Sequence, residues 1–189
     1  ATALSVSPGF INMLSWGYSS LMEAGRSLSD LKQGVTLEVF GEGVSPGPYV
    51  RDGERYSFKE AMEALENSGV STNIASFLGA TTARMMEVGF ENRPATENEM
   101  QKMREMVKQS MEEGAMGIGS SLIYAPADYA PTEELIELCK VASEKGGMYI
   151  SHMRNEDNLL MEALEELITI SREADIPAEI YHLKASREA

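Results

Sequence analysis

Apolar and polar positions along this chain alternate with two periods: two residues over short runs, and about 3.6 residues over longer ones. The run Val6–Asn12 predicts a first strand and the stretch from Ser20 to Lys32 a helix. Val35–Phe40, rich in β-branched and apolar residues, predicts a second strand. Residues 43–55 carry several Gly and Pro and are expected to form a loop. Ser57–Asn67 predicts a helix, with Ser57 as N-cap and Glu60 three residues on as its capping-box partner. Thr72–Leu78 reads as a third strand, followed by an irregular stretch from Thr81 to Pro94. Thr96 and Glu99 repeat the capping-box signature, and Met100, Met103, Val107 and Met111 follow along one helical face. These methionines read as core packing, since the unbranched thioether fills irregular space. Met116–Leu122 predicts a fourth strand. Thr132 is expected to cap a helix with the stripe Leu135, Leu138, Cys139 and Ala142, stopped by Gly146-Gly147. Met148–Met153 predicts a fifth strand, and Leu160, Ala163, Leu164, Leu167 and Ile168 the core face of another helix. Pro177 introduces a sixth strand, Ala178–Lys184.

Strands alternating with helices argue for a parallel α/β sheet with right-handed crossovers. Two closures compete, an open doubly wound sheet and part of a (β/α)8 barrel, and the pattern alone leans to the first. A whole barrel takes about 250 residues, so 189 residues in one domain hold only part of one, about strands 1–6. Thirty acidic residues against sixteen basic ones leave a net charge of −14. That field opposes nucleic-acid phosphates and anionic membranes as partners. No run of about 18 apolar residues occurs, and the N-terminus lacks the blocks of a signal peptide. The chain opens Ala-Thr-Ala without an initiator methionine and stops soon after Lys184, so a fragment is expected. Its compartment stays open: soluble, and either cytoplasmic or exported after signal-peptide removal. A barrel cut after its sixth strand leaves unpaired edges, so a homo-oligomer is one expected state. The single cysteine, Cys139, excludes an intrachain disulfide framework and reads as an inert core thiol.

Only two histidines occur, His152 and His182, both near the C-terminal ends of consecutive predicted strands. That edge carries the active site in parallel α/β folds and barrels. Neighbouring strands lie about 4.8 Å apart, so matching positions can converge on one ion at Zn–N distances of about 2.0–2.1 Å. The competing reading is two unrelated hydrogen-bonded histidines. For a third ligand, Glu42 ends the second strand between Gly41 and Gly43, which let backbone approach closely. A solvated loop glutamate is the alternative, and Glu38 is a weaker candidate because it lies inside the strand. Gly114, Gly117 and Gly119 loosely suggest a phosphate loop, but no Lys-Ser/Thr follows, and close strand packing is the reading. An open-sheet nucleotide-binding domain needs a Gly-rich turn after its first strand, which Gly17 alone does not supply.

Several segments are specific in combination. Ser7-Pro8-Gly9-Phe10-Ile11 resembles the first-strand opening of amidohydrolases, and Gln33-Gly34-Val35-Thr36 is similar to their second-strand entry. Gly114-Ala115-Met116-Gly117, Leu122-Ile123-Tyr124-Ala125-Pro126 and Tyr129-Ala130-Pro131-Thr132-Glu133-Glu134-Leu135 resemble the fourth strand and following loop of the N-acyl-D-amino-acid deacylase branch. Ser151-His152-Met153-Arg154-Asn155-Glu156 and His182-Leu183-Lys184 resemble its metal-binding fifth and sixth strands. The resemblance tips the closure toward the barrel, with a flanking β-sandwich and the last barrel strands outside this chain. It implies a metal-dependent amide hydrolase that releases a carboxylate from an N-acyl amino acid by means of a metal-activated water. It also implies one tight zinc, held in the family by a cysteine and two histidines; here Glu42, His152 and His182 are the expected ligands. A carboxylate in place of the thiolate widens tolerance toward manganese or iron. Lys184, two residues after His182 on an expected strand, is placed to pair with a substrate carboxylate. Tyr124, Arg154 and Ser121 are further expected substrate contacts. The family's proton-transferring aspartate, after strand eight, falls beyond residue 189. Two departures matter: the family's His-x-His pair reads Leu14 and Trp16 here, which cannot bind metal, and strand four supplies no bridging lysine. The first of these motivates the alternative, a non-catalytic barrel that binds a small ligand or partner.

Overall fold

The computed structural model of the chain describes residues 5–186. Strands β1 (Phe10–Asn12) and β2 (Val35–Phe40) are joined by two short helices, α1 (Tyr18–Glu23) and α2 (Leu28–Lys32). A hairpin of β3 (Tyr49–Arg51) and β4 (Glu54–Tyr56) leads to α3 (Phe58–Ser68) and strands β5 (Asn73–Ser76) and β6 (Leu78–Gly79). Helices α4 (Ala80–Glu87) and α5 (Glu97–Glu112) precede β7 (Gly117–Ser121) and α6 (Thr132–Ser143). Strand β8 (Met148–His152), helix α7 (Leu160–Ala174) and β9 (Ala178–Ile180) complete the order.

Apart from the hairpin, every strand pair is parallel, in the orders β1-β2-β5 and β6-β7-β8-β9. β5 and β6 are two halves of one strand interrupted at Phe77. The Phe77 N–H donates to the Phe40 carbonyl at 3.0 Å and the Met116 N–H to that of Ser76 at 3.0 Å, so the two ladders form one arc. The two faces of this arc differ. Val39, Phe77, Ile150 and Tyr181, with Leu14, Leu37 and Met148 beside them, pack on the inner face without any helix residue. The outer face packs Leu21, Phe40 and Leu65 beneath α1 and α3, and a larger cluster beneath α4–α7. A doubly wound sheet would carry helices on both faces. Helices on one face and a small strand-lined interior are the arrangement of a (β/α)8 barrel, present here as a partial barrel.

Both predicted capping boxes form, Ser57 with Glu60 and Thr96 with Glu99. The methionine stripe of α5 is core, with Met100, Met103, Met106 and Val107 all buried. Other expectations need correction. The first strand is only three residues long, and the expected helix to Lys32 breaks around Ala24–Ser27, where Ser27 takes φ 38°. Residues 43–55 contain a hairpin that turns at Asp52-Gly53, both at positive φ, as the Asp-Gly pair favours. The stretch after Thr81 opens as a helix, because α4 starts directly from β6 without a loop. Thr132 is the first helical residue rather than a cap, and its hydroxyl donates to Glu166 at 2.9 Å. Ile168 faces solvent, and Ile170 takes the core position. The sixth strand ends at Ile180, so Lys184 does not lie on a strand.

The outer layer holds a fully buried ion pair. Arg84 of α4 donates twice from Nη1 to Glu134 of α6, at 3.0 and 2.7 Å, and its Nη2 donates to the carbonyls of Glu91 and Arg93. Replacing Arg84 by Met leaves the Glu134 carboxylate buried and unpaired. We expect a loss of about 3 kcal/mol or more in urea unfolding, against under about 1 kcal/mol for Lys140→Met in the exposed pair with Glu137. Equal effects of the two substitutions would show that the buried pair carries no special role.

Candidate metal centre

Glu42 enters the site through backbone that only glycine permits. Gly41 has φ 106°, and a Cβ there would lie 2.4 Å from the carbonyl oxygen of Phe77. Gly43, at φ 73°, turns the chain away again, with a hypothetical Cβ 2.8 Å from that of Ser121. Between them the Glu42 side chain is carried over the end of the arc and buried.

His152 is the last residue of β8. Ile150 packs on the inner face, and strand alternation puts His152 on that face too. His182 arrives differently. The register Ile150↔Glu179 and Ser151↔Ile180 places Tyr181, not His182, opposite His152. Simple alternation would point His182 at the helix layer. Its φ of 35° breaks that alternation and turns the imidazole back over the inner face. A non-glycine residue at positive φ stores strain, which collects where surroundings over-determine the geometry.

The result is an alternating ring of two imidazoles and two carboxylates. Glu42 Oε1 lies 2.9 Å from His152 Nδ1 and 3.3 Å from His182 Nε2. Glu156 Oε1 lies 3.3 Å from His152 Nε2 and 3.5 Å from His182 Nδ1. The two rings stand nearly perpendicular, 4.4 Å apart. Each carboxylate has a further donor. The Trp16 indole N–H donates to Glu42 Oε2 at 2.7 Å, while the Lys184 ammonium donates to Glu156 Oε1 at 2.6 Å and to His182 Nδ1 at 3.0 Å. Tyr181 packs below, and burial, followed by the Glu42 charge, holds its phenol above the usual range, so it stays neutral.

Donor atoms of Glu42, His152 and His182 all fall within 4.8 Å of one another. Four-coordinate zinc with bonds of about 2.0–2.2 Å sets its ligand atoms about 3.3–3.6 Å apart. The observed 2.9 and 3.3 Å from Glu42 Oε1 are close to that spacing. His152 Nε2, on the opposite side of the ring from Glu42, is buried without a hydrogen-bond partner. The donor set and its spacing therefore fit a divalent cation.

Tyr124 stands edge-on to the His152 ring at 5.4 Å, and Ser121 lies in register with His152 at the end of β7. Lys184 reaches the ring through Glu156. Arg154 is engaged elsewhere: it donates from Nε and Nη2 to Glu166 at 2.9 and 2.8 Å, and to the carbonyls of Asp128 and Ala130. It thus secures the loop that carries Tyr124. Glu38, the weaker ligand candidate, faces the outer layer, where Ser15, Ser27 and Thr72 hydroxyls donate to it. Sequence reasoning gives no role to Glu156 or to the indole of Trp16. The usable signal for Glu156 is a carboxylate four residues beyond His152, close enough to fold back across the strand end.

No family model matches the chain. It is 34% identical over 198 residues to D-aminoacylase of Alcaligenes xylosoxydans xylosoxydans, covering 97% of this chain and 41% of that protein. It is 29% identical over 204 residues to N-acyl-D-aspartate deacylase of the same organism, covering 100% of this chain and 41% of the relative. A crystal structure of D-aminoacylase, which defines a novel subset of amidohydrolases, superimposes with a TM-score of 0.87 at 33% identity, over 95% of this chain and 41% of that one. N-acyl-D-glutamate deacylase of Bordetella bronchiseptica, solved with zinc and a phosphonate mimic of the tetrahedral intermediate, gives 0.82 at 27% identity over 90% and 39%. The chain thus spans about 41% of the length of the curated relatives it matches. By sequence and by fold, it is a homologue of the D-aminoacylase-like amidohydrolases.

Proposed function

We propose that this chain carries the metal-binding part of a hydrolase that cleaves the amide bond of N-acyl amino acids. One observation carries the reading: Glu42, His152 and His182, from three separate strand ends, bring their donor atoms within 4.8 Å on the inner face. The chain's relatives include deacylases of N-acyl-D-aspartate and N-acyl-D-glutamate, and a homologue of the latter kind was crystallised with zinc. A divalent ion held by these three residues supplies polarisation of the scissile carbonyl and activation of a water. Zinc suits the two imidazoles, and the carboxylate admits manganese or iron.

The protein groups divide the remaining work. The two ends of the imidazole pair are unequal, since Glu156 already holds the Lys184 ammonium whereas Glu42 holds only a neutral indole N–H. Cation binding therefore favours the Glu42 end. Trp16 engages Glu42 Oε2 and leaves Oε1 to face the histidines, which supports a single metal rather than a pair. Glu156 Oε1 faces the far nitrogens of both imidazoles, at 3.3 and 3.5 Å, so its charge holds the orientation of the two rings. Lys184, half exposed at the rim, pairs with the substrate carboxylate. Tyr124 and Ser121 line the approach, and Arg154 positions the Tyr124 loop.

Metal content by mass spectrometry tests the reading. Zinc-loaded protein should retain about one equivalent, even from excess, and His152→Ala and His182→Ala should each lose it. A wild type that stays metal-free after loading with zinc and with manganese would favour a non-catalytic barrel; two equivalents would overturn the single-metal assignment. In a chelator competition, Glu156→Gln should weaken zinc binding by about 10–100-fold, the usual effect of losing an outer partner of a ligating histidine. Unchanged affinity would remove Glu156 from the site.

A further inference from the structure

Beside the ligand triad a cleft of about 400 Å³ opens between the ends of β1, β2, β6 and β7, walled by Trp16, Val44, Thr81, Ser121, Tyr124 and Ala125. Its walls are mostly apolar, and Glu42 is the only charged residue lining it among the described residues. Trp16, Val44 and Tyr124 are all substantially exposed, although they gather at one place. The indole N–H of Trp16 is engaged by Glu42, so the indole can offer the cleft only its ring surface. At the base, Ser121 is 5% exposed and its hydroxyl has no hydrogen-bond partner. A buried hydroxyl without a partner is costly unless something in the cleft completes it.

We infer that this cleft is an acyl-chain subsite for straight aliphatic groups longer than acetyl, with Ser121 donating to a polar atom at the start of the chain. The inference rests on the hydrolase reading for its orientation. Lys184 stands by His182 and Glu156, on the β8–β9 side of the triad, whereas the cleft opens on the β1–β2–β7 side. A substrate whose carboxylate meets Lys184 and whose amide lies at the triad sends its acyl substituent into the cleft. A charged substituent is disfavoured there, since it would lose its water to mostly apolar walls that offer no cationic side chain to an anion and no free carboxylate to a cation once Glu42 holds the metal. A cleft of this volume lies within the range of small-molecule sites and exceeds the needs of a methyl group.

Each methylene transferred from water into such a cleft should tighten binding about three- to fourfold. Trp16 is the only tryptophan of the chain, so intrinsic emission reports occupancy directly. The probes are the uncharged primary amides acetamide, butanamide and hexanamide, titrated into zinc-loaded protein and into chelator-treated protein. Saturable emission changes with Kd falling about three- to fourfold per methylene are expected in both. Val44→Phe, which fills the mouth, should flatten the series, and Val44→Ala should preserve its slope. If the bulkier variant fails to fold, the wild-type series and Val44→Ala still decide the matter. Ser121→Ala should weaken all three amides by a common factor. A flat series in the wild type, or an unaltered slope in folded Val44→Phe, overturns the subsite. Because the metal-free titration stands alone, a failure to bind zinc and a flat amide series are separate results, the first striking the hydrolase reading and the second this one.

Discussion

Glu42 can reach histidines on two other strands only because main chain crosses the sheet end at contact distance from its neighbours. A Cβ on Gly41 would press on the Phe77 carbonyl, and one on Gly119 would lie 2.1 Å from the carbonyl of Gly41 itself. The interruption of the third strand at Phe77 belongs to the same crossing, since its N–H bonds the last residue of β2 while β6 moves on to pair with β7. Small residues on adjacent strands thus clear a channel through which one carboxylate is delivered inward. Without that clearance β2 would end in an ordinary loop with its glutamate in solvent.

Delivery of charge to a buried place then dictates the partners. Two carboxylates, two imidazoles and one ammonium occupy a few ångströms, and the arrangement keeps the like charges apart by placing both rings between them. The ammonium neutralises one end. The other end has an indole N–H, which stabilises a carboxylate oxygen without contributing a charge. This imbalance gives the cluster a direction, with an attraction for cations at the Glu42 end and a route to solvent past Lys184 at the other.

Much of the fold can be read from the chain because local and tertiary preferences agree in it. The capping boxes at Ser57 and Thr96, the β-branched run Val35–Phe40 and the methionine face of α5 need nothing beyond their own sequence to be recognised. The misreadings arise where tertiary contacts overrule pattern. Thr81 and Thr82 are expected to begin an irregular stretch, yet they lie in the first turn of α4 and are buried, Thr82 accepting from the Ser45 N–H. Ala178–Lys184 reads as one strand, but the last residues leave the ladder after Tyr181. At the site, Glu42, His152 and His182 are legible because few residue types bind metals and these sit at strand ends. The turn that brings His182 inward is not legible, because nothing in a histidine announces a positive φ. Lys184 is named from its spacing after His182, but its bonds to Glu156 and the His182 ring depend on that turn, and Glu156 is given no role at all.

The fan of bonds from Arg154 has a mechanical consequence. This residue follows His152 by two positions, and it grips both Glu166 on α7 and the carbonyls of the segment that displays Tyr124. A planar guanidinium held at three points resists shear as well as extension. Strand, helix and display loop are therefore geared together, and a tilt of β8 that shifts the imidazole of His152 must carry the neighbouring wall along. Grafting a different loop onto this scaffold would have to preserve two carbonyls at the spacing of Asp128 and Ala130, whatever side chains it brought, or the wall and His152 would lose their common frame.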